Sequence, residues 1–367
     1  MSYRIELHEG VASGIRRAVA DELEQAVAEI TRTDGDLGEA VHEARKRLKK
    51  ARSAMRLVRF DLPAKTRARE NDVLRATGRK LSGVRDAEVL IETLDELQER
   101  ADGQLPATAL RSVLEKRLEE LRRHSMSPKA RQSIAADLEA ERRRSRSWRV
   151  RDENFRSAGR GLEEIHRRGR RAMKHALEMA DDASWHEFRK RVKDLWYAIR
   201  LLRPIAPAQL GGIADEAKAL SDLLGKINDV AVLGRAIDEH ADSIYPGDAN
   251  ALRKAVQLRR DELRRAALPV ARRLYDEPSE LFAKRIGRWW GARDLLAAVE
   301  AEQAKRAAPK PKPKARGVPV VVRRRPRLRR ELQRLGISSN GLSDRLKLDG
   351  RFSVGDLVER SRKLVRR

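Results

Sequence analysis

HEARKRLKKARSAMR, residues 42–56, returns 144 positions later as HEFRKRVKDLWYAIR, residues 186–200, with eight of fifteen residues identical. A second pair follows at an offset of 143: LSGVRDAEVL at 81–90 and LGKINDVAVL at 224–233. Two matches at nearly one offset divide the first 300 residues into related halves, about 1–150 and 151–300. At 100° per residue the quoted segment sorts into two faces. Ala44, Leu48, Ala51, Met55 and Val58 form one. His42, Arg45, Lys46, Lys49, Arg52 and Arg56 form the other, within an arc of about 120°. In the second copy Phe188, Val192, Leu195, Ile199 and Leu202 repeat the apolar face. His186, Arg189, Lys190, Lys193, Tyr197 and Arg200 repeat the cationic one. Each copy predicts a helix buried along one side and lined with cations along the other.

The rest of the first 300 residues follows the same grammar. Ala, Leu, Arg, Glu and Lys dominate, and apolar residues recur at three and four. Helices are expected at 10–30, 38–60, 64–81, 86–101, 107–124, 128–148, 154–180, 184–203, 207–224, 229–243, 249–275 and 279–300. Pro63, Pro128, Pro204, Pro207 and Pro278 fall at their breaks or first turns. Only YRIEL at 3–7 and VPVVV at 318–322 alternate like strands. The expected fold class is all-α: two pseudo-symmetric helical bundles from an internal repeat, with a basic groove between them and a basic C-terminal tail.

Charge narrows the function. Lys and Arg number 82 against 56 Asp and Glu, a net charge of +26 in 367 residues. Of this, +16 lies from Lys305 onward, where the run to Arg330 holds 12 basic residues and no acid. Pro and Lys in AAPKPKPKARGVP predict an extended linker. The expected organisation is a helical domain at 1–300, a linker at 301–330 and a short basic helical tail at 331–367. There is no cysteine, which excludes disulfides, thiolate zinc sites and cysteine nucleophiles. No apolar run approaches the ~18 residues of a membrane span, so a soluble, cytoplasmic protein with a polyanionic partner is expected. Aromatics at 4% argue against rows of stacked bases.

A repeated cation stripe free of acids suits a chain of phosphates. Arg offers a planar fork and Lys a mobile point charge, at ~5–6 Å steps. Arg16 and Arg17 precede the first stripe; Arg167, Arg168, Arg170, Arg171 and Lys174 precede the second. All are candidate contacts. His42 and His186 are candidate phosphate donors as imidazolium; His8, His124, His166, His175 and His240 have no repeated partner. Asp86 and Asp229 are expected to cap helices, and Trp289 and Trp290 to close the last helix onto the bundle. No HExxH, Asp-rich loop or GxxxxGK[ST] motif occurs, so no metal, cofactor or catalytic residue is expected.

The His-Glu-x-Arg-Lys-x-x-x-Lys pattern, each copy followed by an Arg/Asn-Asp-x-x-Val-Leu element, resembles the CHAD domain, the conserved histidine α-helical domain. YRIELHEGVASGIRRAVADEL and HRRGRRAMKHAL are similar to it as well. The resemblance covers about residues 3–292. It implies helical bundles around a basic groove or pore, binding of inorganic polyphosphate, and association with polyphosphate granules. It places the ligand on His42, Arg45, Lys46, Lys49, His186, Arg189, Lys190 and Lys193. No fused triphosphate-tunnel domain is recognisable. Weak nucleic-acid binding through the tail is the rival reading, ahead of a polyphosphate-processing enzyme; oligomeric state is not legible. Because a polybasic segment attracts any polyanion, deleting 305–367 should weaken DNA and polyphosphate binding alike and flatten the salt dependence. Loss of the preference for polyphosphate over DNA in residues 1–304 would place the selectivity in the tail.

Overall fold

The computed structural model describes residues 3–303 apart from 82, 124–126, 151, 294, 296, 297, 300 and 301. Contacts divide the chain into a unit Met1–Ala308 and a unit Pro309–Arg367. The second unit, with VPVVV and the expected tail helices, lies outside the described residues, as does His124.

The described residues form an all-α fold. Eleven α-helices follow one another: α1 (Val11–Thr31), α2 (Leu37–Leu57), α3 (Ala64–Lys80), α4 (Val84–Arg100), α5 (Thr108–Arg123), α6 (Pro128–Arg146), α7 (Phe155–Met179), α8 (Asp182–Leu202), α9 (Pro207–Glu239), α10 (Pro246–Tyr275) and α11 (Ser279–Gly291). One expected break is absent. The helices expected at 207–224 and 229–243 are the single helix α9. Gly225 is no terminator, because it is buried against the Arg189 guanidinium. Leu224, Ile227, Val230, Ala231 and Leu233 keep the buried side continuous through the supposed gap. YRIEL is not a strand either. The Ile5 amide donates to the Leu201 carbonyl (2.8 Å) and the Tyr3 hydroxyl to the Lys50 carbonyl (3.0 Å), tying the N-terminus to α8 and α2.

The two repeated helices start alike. Asp36 caps α2 by accepting from the Gly38 amide, and Asp181 caps α8 by accepting from the Ser184 amide, each at 2.7 Å. Both apolar faces go inward as their periodicity requires. Ala44, Leu48, Ala51, Met55 and Val58 are buried, and so are Phe188, Val192, Leu195, Ile199 and Leu202. They join one hydrophobic cluster that runs through both halves. The helices approach closely. The Ser53 hydroxyl donates to the Asp194 carbonyl (3.0 Å), and Gly161 of α7 lies so near the Leu57 carbonyl that any side chain there would collide with it. At the end of the bundle Trp290 is buried and stacked on Phe155, and Trp289 packs against the core.

α3 is held differently. Its only fully buried residues are Glu70, Leu74 and Thr77. Glu70 meets Glu141 of α6, both completely buried, with Arg69 paired to Glu70 and Arg144 to Glu141 (2.5 Å). Burial and the Glu70 carboxylate push Glu141 up to about 8, so the pair shares a proton. The folded chain then binds more protons than the unfolded one between about pH 4.3 and 8, and this contribution to stability falls as pH rises through that window. Glu141→Gln keeps a donor toward Glu70 without the titration. Its unfolding free energy relative to wild type should rise by on the order of 2 kcal/mol between pH 5 and pH 9 in denaturant titrations. A constant difference would mean that the pair does not share a proton.

Candidate anion-binding site

The cationic faces of α2 and α8 open onto one cavity of about 830 Å³. His42, Arg45 and Lys49 line it from α2; His186, Arg189 and Lys193 from α8. α4 contributes Arg85 and Asp86, and α9 contributes Asn228, Asp229 and Arg235. Asp182 stands at the start of α8.

The charges are unequally satisfied. Arg45 donates to Asp86 (3.0 Å), Arg85 to Glu92 (2.7 Å), and Asp182 is paired with Arg260 and Arg264 (3.3 Å each). Lys49, Arg189, Lys193 and Arg235 have no ion-pair partner among the described residues. Desolvation is the main force on both lysines, with like charge behind it. Lys193, hemmed in and facing Arg189 and Lys49, is pushed down to about 7. Lys49 is open to the cavity solvent but surrounded by protein on most sides, with Arg45 and Arg189 close; it is pushed down to about 8. Both lysines would become more fully charged if an anion entered.

The histidines sit at the same wall. Nδ1 of His186 lies 2.6 Å from the Asn228 amide oxygen, and the Asn228 amide nitrogen donates to Asp229 (3.2 Å). Asn228 is thereby oriented to accept, so Nδ1 carries the proton, and Nε2 gains one only when the ring is charged. Burial holds His186 below the usual histidine range. Burial and Lys46 do the same to His42.

The other expected contacts lie elsewhere, engaged by neighbours. Lys46 is paired with Glu43 (2.6 Å) and Lys190 with Glu187. Arg52 donates to Asn71 (3.1 Å) and Arg56 to Asp194 (2.9 Å). Tyr197 is buried, edge-on to Tyr3 and stacked on Trp196, while Arg200 lies over Trp196. The arginines before the stripes have partners of their own. Arg16 donates to the Val150 carbonyl, and Arg17 is paired with Glu9 and Asp21. Arg167 and Arg168 are paired with Glu164, Arg171 lies 3.8 Å from the same carboxylate, and Lys174 lies 3.7 Å from Glu178. Arg170 donates to the Glu277 carbonyl. None of these lines the cavity. Glu43, Glu187 and Glu164 pair with cations of their own helices, while Asn71 and Asp194 reach Arg52 and Arg56 from other helices, which a stripe read on one helix cannot show.

Asp86 and Asp229 are not caps. Gly83 precedes α4, with Asp86 in its first turn, and Asp229 lies inside α9. Both face the cavity instead. The signal for this was the second repeated pair, which aligns Arg85-Asp86 with Asn228-Asp229. Asp182 and Arg235 carry no such signal.

The CHAD-domain family model matches residues 17–238, which span α2, α4, α8 and nearly all of α9. The chain belongs to the CHAD family. Its fold is similar to that of PptA from Streptomyces chartreusis, at 17% identity over 73% of this chain and 100% of that one, with a TM-score of 0.56. A CHAD domain crystal structure from the plant Ricinus communis matches at 20% identity over 78% of this chain and 96% of that one, with a TM-score of 0.46. No curated protein matches the chain. No described helix is long and apolar enough to cross a membrane.

A lysine pushed down to about 7 is largely a free amine at pH 8 and therefore nucleophilic. Limiting acylation at pH 8, read by peptide mass spectrometry, should modify Lys193 first and Lys49 next, ahead of the paired Lys46 and Lys190. The Lys193 rate should fall as pH drops through about 7. Equal labelling of all four would remove the claim that the cavity holds uncharged amines.

Proposed function

We propose that the protein binds inorganic polyphosphate in this cavity, as a non-enzymatic recognition module that can associate with polyphosphate granules. The observation that carries the reading is the set of cations without acid partners, Lys49, Arg189, Lys193 and Arg235, converging from α2, α8 and α9. Membership of the CHAD family supports it. The ligand class follows from chemistry: a flexible chain with a negative charge on every unit can meet cations on several walls at once. Binding would also take up protons. Affinity should rise as pH falls from about 9 to about 7 through Lys49 and Lys193, and rise further at the acid end through the histidines, whose charged forms bound phosphate would favour.

Competition between polyphosphate and duplex DNA at equal phosphate concentration tests the reading. Polyphosphate should win. Lys49→Gln/Arg189→Gln/Lys193→Gln should lower its affinity by about 100-fold or more, since a charge-assisted contact contributes roughly 1.5–3 kcal/mol. Circular dichroism should show the variant still helical. Lys49→Gln/Lys193→Gln should flatten the alkaline part of the pH slope, and His42→Gln/His186→Gln chiefly its acid part. A DNA preference, or a folded triple variant with undiminished polyphosphate affinity, would overturn the proposal.

A further inference from the structure

The cationic face of α8 continues past the first cavity. Arg189, Lys193, Trp196, Arg200 and Arg203 fall within about 80° of one another at 100° per residue. α9 runs alongside, with glycines facing two of these guanidinium groups at ordinary contact distance. A Cβ at Gly225 would lie 3.5 Å from Arg189, and one at Gly211 the same distance from Arg203. Between them the Trp196 ring carries two cations, Arg200 at 5.2 Å and Lys218 of α9 at 5.8 Å.

At the far end is a second cavity of about 430 Å³, whose walls include Tyr3, Arg4, Glu6, Arg200 and Arg203. Arg4 is spoken for by Glu6 (2.8 Å). Arg200 and Arg203 have no acid partner among the described residues. Asp229 and Asp222 act on Lys193, and Asp222 is itself paired with Lys218 (2.6 Å). Arg203 opens the 3₁₀ turn that follows α8, fourteen residues beyond Arg189 and about 21 Å further along the axis.

We infer that the Arg200–Arg203 cavity is a second anchoring site for the same anionic chain, filled by phosphates beyond those held in the first cavity. This inference rests on the polyphosphate reading and adds a length rule to it. A chain too short to span about 21 Å occupies the first cavity alone, and a long chain engages both. The gain on the second contact is one of effective concentration, because the chain is already tethered.

The test compares tripolyphosphate with long-chain polyphosphate on the full chain by calorimetry. Arg200→Gln/Arg203→Gln should lower long-chain affinity about tenfold while leaving tripolyphosphate affinity within about twofold. Arg200→Lys/Arg203→Lys should keep most of the long-chain affinity, which separates lost charge from a disturbed α8. Arg75→Gln/Arg143→Gln removes the same charge from exposed positions elsewhere and should cost the long chain much less. Equal losses for both ligands, no loss for either, or an equal loss in the exposed-arginine control would overturn the second anchor. Failure of wild type to bind either ligand would instead bring down the polyphosphate reading itself.

Discussion

The structure turns on the burial of two apolar helix faces that forces two cationic faces to look at one another. α2 and α8 each bury Ala, Leu, Val, Ile, Met or Phe at helical spacing. That burial stabilises by ~25 cal/mol per Å² and tolerates no rotation of either helix. With both helices fixed, Lys49, Arg189 and Lys193 have nowhere else to go. Burying these cations side by side raises the free energy of the site, through desolvation first and like charge second, and both lower the lysine pKa values. An anion relieves that cost without any change of fold.

The ion pairs around the cavity set its edges. Asp194 takes Arg56 and also Arg191 (3.0 Å). Asn71 takes Arg52. Glu43 and Glu187 take the lysines one turn from the histidines. The carboxylates each neutralise a cation of the stripe, and the neutral Asn71 amide fixes Arg52 in place without cancelling its charge, so the freest cations are those that line the cavity. Surface pairs of this kind contribute little stability each; their consequence here is where charge is left over.

The legible and illegible parts of the sequence divide along this line. Every residue of the two apolar faces was readable, because a helix period fixes a face without reference to any neighbour. The all-α class followed from the same periodicity. The engagement of Arg52 and Arg56 was not readable, since it depends on Asn71 of α3 and Asp194 of α8 and on how the helices pack, whereas Glu164 stands one turn before Arg167 and Arg168 on α7 and was in plain view. The expected break inside α9 does not occur, because Leu224, Ile227, Val230 and Leu233 carry its buried side straight through residues 225–228. The aspartates failed for another reason. Short polar residues before an apolar run imitate a cap, and only the repeat held the clue that Asp86 and Asp229 have something in common.

Those aspartates refine what the cavity can do. A site of cations alone would hold any small anion strongly and at all times. Asp86 holds Arg45 in place, and Asp229 orients Asn228 and through it His186. The acids therefore fix the geometry of their neighbours while cancelling part of the charge. What remains is a moderate excess distributed over walls from several helices. A single phosphate can touch only one or two of those cations, whereas a linked chain can touch all of them after paying the cost of association once. On the proposed reading, selectivity for a polymer over its monomer comes from this division of charge. It requires no contact that recognises the chemistry of an individual unit.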